Sequence, residues 1–540
     1  MTNPLLLSTL ARSIARLALT LAVGCKATEP PTPRLAPGAA PPRVRIDAGV
    51  VEGLAFGAAP GAAAFQGIPY AGAPTGAWRW QPPRAVAPWT GVRAAREPGP
   101  VCPQPPDREP GFQRKVLAAI GGDPSAVPPL GVMSEDCLSL NVWTPRLGGA
   151  PDQPVIVWLH GGSDAVGRGG DAPASLAKLG VVVVTINYRL GLLGFLAHPA
   201  LTAESPHHAS GNYGLLDQIE ALRWVQRNIA SFGGDPGRVT ILGHSAGGGA
   251  VLQLMATPLA RGLFQRAIAQ SGTLDMSRPL ADAETEGVAT AAQLGVPVAD
   301  PLPALRAISA ERLVSGSARG FQGATDGWVI PRPVPTLLIE GALDSIPLII
   351  GATANEADLF NLAPPATRDG YRALLRDADA ARVDRVLARY PAATDAAVPA
   401  AVRRYMTDRD FVCPARYVAA MRRGRTWLYL FSPSPAPGAH QAGFHGSELR
   451  LLFDDELGAP LGDAERRLGA AMRRYWVRFA ATGDPSAPGL PAWPAYAGPN
   501  PRHLALGDQV RAVAGLDRSG CDVFDEAWTA PAGATLPAAP

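Results

Sequence analysis

Charge is scarce in this 540-residue chain: 18% of the residues are Asp, Glu, Lys or Arg, below the usual quarter. The 49 basic and 46 acidic residues nearly cancel, which excludes an overall field that would gather nucleic acid or an anionic membrane surface. Long apolar runs are also missing. No stretch reaches the roughly 18 apolar residues that a helix needs to cross a bilayer, so no spanning helix is expected. Cysteine is sparse, with five residues, and the odd count leaves at least one without a partner inside the chain. No internal repeat is present. What the chain has in plenty is Gly, 59 residues, and Pro, 56 residues, and 47% of it is hydrophobic, enough for a large core. The length prior allows about three or four average domains, but large α/β chains exceed that prior as single units. One large domain is expected.

The first 25 residues carry the parts of an export signal. Arg12 and Arg16 precede the apolar Leu17 to Val23, and small Gly24 precedes Cys25. The run Ala22-Val23-Gly24-Cys25 is similar to a bacterial lipobox, in which the cysteine is acylated, although Ala22 stands where Leu is more usual. Ordinary cleavage near Ala27 is the alternative. Pro-rich residues from Glu29 to Pro42 would then form a stiff tether. The expected divisions are 1–25 signal, 26–43 tether, 44–528 folded domain and 529–540 disordered tail. Cys25 is the cysteine that stands apart. The remaining four, Cys102, Cys137, Cys413 and Cys521, suit two disulfides in an oxidising compartment, with three pairings open.

Val44 to Ala64 reads as an antiparallel hairpin, followed by an aromatic loop anchored by Trp78 and Trp80. Pro154 to Leu159 and Val181 to Ile186 are apolar on both faces, as strands between helix layers are. Ile219 to Ile229 has helical spacing. Strand and helix alternate from about 150 to 275, which gives a doubly wound α/β sheet. Ser277 to Leu338 reads as a mostly helical insertion, of the kind that forms a lid. Leu348 to Gly351 and Trp427 to Phe431 return as core strands, and Asp463 to Ala480 is strongly helical.

Chemistry enters at Val239 to Gly249, VTILGHSAGGG. An apolar strand breaks at Gly243 into Gly-x-Ser-x-Gly, and an apolar helix follows, so Ser245 lies on a sharp strand-to-helix turn. Gly243 and Gly247 are needed where neighbours pass too close for a Cβ. A serine hydroxyl is a weak nucleophile until a base takes its proton, and the base needs an acid to fix its tautomer. In this type of fold the chain order is Ser, acid, His, which leaves His440, His445 and His503. His445 leads, because it opens HGSELRLLF after the 427–431 strand. His440 is its rival, and His503 reads as a surface histidine. Glu356 is the leading acid, after strand PLIIG; Asp358 is its rival, and otherwise reads as a helix N-terminal charge. His160-Gly161-Gly162-Ser163 follows another strand and suits a loop whose N–H groups receive an oxyanion, joined by the N–H of Ala246. The ring of His160 is read as orienting that loop. His198, His207 and His208 match no usual ligand spacing and are read as solvated loop residues, so no metal is expected.

These pieces, with FQGIPYA, SEDCLSLNVWTP, WLHGG, NYRLGLLGFL, GHSAGG and HGSEL, resemble the type-B carboxylesterases, the cholinesterase-like branch of the α/β hydrolases, from about Val44 to Trp528. The resemblance implies an α/β-hydrolase fold: a large, mostly parallel sheet with helices on both faces and helical lid insertions. It implies a Ser245, Glu356, His445 triad and an oxyanion hole of Gly162, Ser163 and Ala246. It pairs Cys102 with Cys137 and Cys413 with Cys521, and it matches Arg79 with Glu135 and Arg189 with Asp217 as structural salt bridges. Three departures stand out. His244 replaces the usual Glu before the serine, Ser163 replaces Gly or Ala, and Asp164 follows the glycine loop where Phe is common. In cholinesterases the loop of the first disulfide carries a choline-binding tryptophan, and the 102–137 loop has none. The expectation is a cofactor-free serine esterase acting on uncharged small-molecule esters of unspecified acyl and alcohol size, with no nucleic-acid partner. It would be exported and secreted, or tethered to a membrane through lipidated Cys25.

Overall fold

The apolar runs become the middle of one sheet. The computed structural model describes residues 40–529, apart from 58, 171–173, 317–321, 361–362, 437–438, 440, 455–458 and 517. The signal-type segment with Cys25, most of the Pro-rich stretch, His440 and the tail from 530 lie outside the described residues. Among the described residues eleven strands form the large sheet: β1 (Leu54–Ala55), β2 (Ala63–Pro69), β3 (Ser139–Thr144), β4 (Gln153–Leu159), β5 (Val182–Ile186), β6 (Gly234–His244), β7 (Arg266–Gln270), β8 (Leu348–Thr353), β9 (Thr426–Phe431), β10 (Arg502–Leu506) and β11 (Arg511–Ala514). Their spatial order is β11-β10-β9-β8-β7-β6-β4-β5-β3-β2-β1. From β10 across to β5 every pair is parallel, and the outer strands pair antiparallel.

Strand periodicity explains why both faces must be covered. Val155, Val157 and Leu159 of β4 enter one apolar layer, while Ile156 and Trp158 enter the other. The first layer is closed by α1 (Tyr213–Asn228), through residues such as Leu216, Ile219 and Val225, and by α2 (Ala246–Ala256), through Val251 and Leu254. On the opposite face lie α3 (Ser447–Phe453) and α4 (Asp463–Thr482), which presents Leu468, Met472, Trp476 and Phe479 at helical spacing. The strand register brings the carboxyl ends level. Leu159 pairs with Gly243, His244 with Gln270, Gln270 with Gly351, and Gly351 with Tyr429. Loops leaving these strands therefore share one edge, where open α/β sheets place their sites.

Several expectations are corrected. The hairpin of 44–64 divides in two: Arg43–Ile46 pairs with Gly49–Glu52 in a separate three-stranded sheet, and β1 pairs with β2. Trp80 anchors its loop, being buried and donating to the Leu192 carbonyl at 2.8 Å, but Trp78 stays half exposed beneath the Arg84 guanidinium. His503 is not on the surface, since it sits buried on β10 opposite Val513. The 277–338 region is mostly helical as expected, with a two-stranded parallel ribbon, Ser277–Pro279 with Gly323–Thr325, that periodicity did not reveal. Cys102 is joined to Cys137 and Cys413 to Cys521. Arg79 pairs with Glu135, and Arg189 with Asp217 at 2.7 Å, as the resemblance implies.

Candidate active site

The sharp turn after β6 holds Ser245 at φ 59°, ψ −124°, a region that L-residues enter only under constraint. The constraint is visible. The Ser245 N–H donates to the Gln270 carbonyl at 2.9 Å, and its carbonyl accepts from Gly249 at 3.0 Å. A Cβ on Gly243 would lie 2.1 Å from the Gly247 carbonyl oxygen, and one on Gly247 would lie 2.2 Å from that of Leu159. The two glycines of the motif are thus needed for close backbone passage, and Ser245 itself carries the positive φ.

The loop after β4 lies against this turn. A Cβ on Gly161 would come within 2.8 Å of the Ser245 Cβ. The loop runs through three residues of positive φ, Gly162 at 115°, Ser163 at 56° and Asp164 at 54°. Among the described residues, the N–H groups of Gly162, Ser163 and Ala246 donate to no protein acceptor, so three donors are left beside the serine. The His160 ring stacks on Tyr188 with centroids 4.2 Å apart, and the Tyr188 hydroxyl donates to the His160 carbonyl at 2.7 Å. Burial lowers the imidazole of His160 to about 4, so it packs under the loop as a neutral ring. Asp164 is buried too, and burial pushes its carboxyl up to about 7.

Glu356 follows β8 in a short 3₁₀ turn, Glu356–Leu359, and His445 lies just before α3. Their loops are tied together: Asn355 donates its N–H to Gly443 at 2.8 Å and its side-chain amide to Ala442 at 2.9 Å. His445 Nδ1 meets Glu356 Oε2 at 2.5 Å, and the other carboxylate oxygen accepts the Thr353 N–H at 2.7 Å. Glu356 is fully buried. Among the described residues the Ser245 hydroxyl makes no hydrogen bond with His445, and the ring of His244, the residue before the serine, lies 4.5 Å from that of His445. The rival Asp358 instead faces Arg403, at 3.6 Å. Of the other histidines, His198 is not solvated. It is buried and caps the helix Pro199–Glu204, accepting from Ala200, while His207 stacks on Trp328. No cluster of metal-ligand side chains occurs among the described residues.

Three neighbours of the site escaped sequence reasoning. Phe360 and Phe411 pack their rings 5.0 and 5.1 Å from His445, and Phe411 comes from a π-helical turn, Asp408–Val412, a device often found at sites. Glu448 is fully buried one helical turn beyond His445 and lies 3.7 Å from His244 Nε2. The available signal for Glu448 was an acid in the short helix SELRLLF directly after the candidate histidine, on the turn that also buries Leu451 and Leu452.

The fold defines an α/β hydrolase, with a serine on the elbow after a central strand and a histidine held by a carboxylate at the same sheet edge. The model of the Carboxylesterase family matches residues 40–524, and the chain belongs to that family. It is 36% identical over 457 residues to the fumonisin B1 esterase of Sphingopyxis macrogoltabida, covering 80% of this chain and 81% of the relative. The para-nitrobenzyl esterase of Bacillus subtilis is 34% identical, covering 80% and 88%, and human cocaine esterase is 33% identical, covering 82% and 83%. A solved PNB esterase structure superposes with TM-score 0.77 at 31% identity, covering 89% of this chain and 99% of that one. The protein is a carboxylic ester hydrolase.

Proposed function

We propose that this protein is an exported serine carboxylesterase that works through an acyl-enzyme. The observation that carries the reading is the buried Glu356 to His445 contact at the same sheet edge as the strained Ser245 turn. Ser245 Oγ attacks the ester carbonyl carbon while its proton passes to His445 Nε2. Glu356, which receives the Nδ1–H, fixes the tautomer and stabilises the imidazolium. The N–H groups of Gly162, Ser163 and Ala246 accept the negative charge that develops on the carbonyl oxygen. His445 then gives its proton to the leaving alcohol, and water, activated by the same ring, releases the acid and restores Ser245. The reading needs no metal or organic cofactor. Uncharged esters are favoured, because the 102–137 loop offers no tryptophan for a cation and the buried carboxyls near the site are pushed toward their neutral forms.

Export rests on the two disulfides and on the signal-type sequence of residues 1–25, with lipidated Cys25 and the 26–43 stretch tethering a catalytic domain of 44–528. Among the described residues no helix is long and apolar enough to cross a membrane. The test is hydrolysis of p-nitrophenyl esters from acetate to laurate by residues 26–540, beside Ser245→Ala, with and without a competing alcohol. Turnover that disappears in the variant is the expected result, and the best chain length sizes the acyl pocket. Transfer to the alcohol in preference to water would make the protein an acyltransferase on the same triad. A folded but inert wild type would reduce it to a binding homologue.

A further inference from the structure

Four ionisable side chains crowd one buried space next to Ser245, and the proposed reaction uses only Glu356 and His445. The other two are His244 and Glu448. The ring of His244 lies against that of His445, with centroids 4.5 Å apart and planes tilted by 43°. Its Nε2 is 3.7 Å from Glu448 Oε1. That oxygen also receives a long contact from Gln270 Nε2 at 3.4 Å, and Gln270 in turn accepts from Trp476 Nε1 at 3.3 Å. His244 Nε2 and Glu448 Oε2 are both buried without a hydrogen-bond partner. The remaining polar groups facing the pair are Ser271 beyond β7, Tyr429 on β9 and Glu356. Among the described residues no guanidinium or ammonium pairs with Glu448.

Two carboxylates cannot both ionise cheaply in such a space. Glu356 has the better claim to the charge, since it is met by the His445 N–H and the Thr353 N–H. Glu448 has a long amide contact from Gln270, with its own N–H and the Ser271 hydroxyl facing it and an imidazole within reach. We propose that His244 and Glu448 form a second acid–base pair that holds a single proton and stays electrically neutral, and that His244 is a positioning residue lying against His445. Moving the proton from the Glu448 carboxyl to His244 Nε2 turns a neutral pair into an ion pair of zero net charge, so either form leaves Glu356 as the net charge acting on the His445 imidazolium. Burial, with the charge of Glu356 second, lifts Glu448 to about 8, and burial, with His445 second, lowers His244 well below the ordinary imidazole value. Both directions agree with one shared proton at neutral pH. The inference deepens the esterase reading and rests on it for its kinetic arm.

The test compares wild type with His244→Gln and Glu448→Gln in the full domain. For kcat/KM on p-nitrophenyl butyrate from pH 5 to 9, both variants keep the pair neutral and should leave the acid-side inflection within about 0.3 unit of wild type. An inflection that falls by about one unit in Glu448→Gln would overturn the proposal, because Glu448 would then have carried charge. A measurement free of turnover uses histidine labelled with ¹³C at Cε1 in Ser245→Ala, with the His244 signal identified by its loss on adding His244→Gln. That signal should not titrate between pH 5 and 8, and titration there would overturn the neutral pair. If wild type hydrolyses no ester, the esterase reading fails while the resonance still decides the pair.

Discussion

At the scale of single residues, the site separates groups that sequence order alone left as rivals. Glu356 and Asp358 are two positions apart, yet one is sealed behind His445 and the other faces Arg403 at the edge. Glu356→Gln presents an amide where the His445 Nδ1–H needs an anion, so kcat should fall by about 10⁴ with folding retained. Asp358→Asn should leave kcat/KM within about twofold. Stopped-flow hydrolysis of p-nitrophenyl butyrate measures both, and equal losses would place the acid elsewhere. A histidine base must be neutral to accept the serine proton, so the rate should also fall toward acid pH, and a flat profile from pH 5 to 8 would argue against His445. The residues proposed as nucleophile, base and acid could be picked out in the sequence because each follows a strand end within its own motif. The surroundings were less so. Phe360 and Phe411 reach His445 from segments nearly ninety and more than thirty positions away, and no local pattern in a sequence encodes that convergence.

At the scale of elements, the loop after β4 is under the most evident backbone constraint. Gly162 has φ 115°, and a Cβ there would lie 2.1 Å from the Val166 carbonyl oxygen. Gly162→Ala should therefore displace the loop and its donors and lower kcat by about 10² to 10³, with KM changing less. Ser163 is the opposite case: it holds φ 56° where an L-residue is strained by about 1 kcal/mol. Glycine relieves that strain but adds freedom to the unfolded chain, so Ser163→Gly should stabilise by about 0.5 kcal/mol, read as a higher urea midpoint at unchanged slope. A lower midpoint would mean that the serine side chain stabilises the loop. The motif HGGS could be picked out in the sequence as the loop proposed to supply the donors, since it follows a buried strand. Its two left-handed residues after Gly162 were not, because Ser and Asp give no warning of positive φ. The parallel strands were legible for a related reason: residues apolar on both faces have only one architecture that buries them. The ribbon 277–279 with 323–325 is too short to carry a period.

At the scale of the molecule, covalent links and buried protons adjust the stability that the two apolar layers supply. Cys413 and Cys521 close a separation of 108 residues, and they join the helix Cys413–Met421, next to the Phe411 turn, to the C-terminal helix Arg518–Thr529. Losing this link should destabilise by about 4 to 5 kcal/mol on the chain-entropy account, seen as a lower Tm in Cys413→Ser with Cys521→Ser. The buried titratable groups act with pH. Glu448 is raised from its ordinary 4.5 to about 8 and Asp164 from 3.8 to about 7, so in each case the folded protein holds a proton that the unfolded chain has released. Their favourable contribution is complete below the unfolded values and is lost as pH climbs through the folded ones. His160 runs the other way, lowered from 6.5 to about 4: its contribution is complete above pH 6.5 and is lost as pH falls through 4. Between pH 4 and 6.5 the two kinds of group oppose each other, and above 6.5 only the carboxyls act, so these groups make stability decline from about pH 6.5 to 8. Glu448→Gln cannot ionise. Its Tm should therefore drop less than that of wild type between pH 6.5 and 9, by about 2 °C or more, in calorimetric scans at matched ionic strength. Parallel Tm curves for the two proteins would show that Glu448 is already ionised at pH 6.5, and the neutral pair beside His445 would fall with that result.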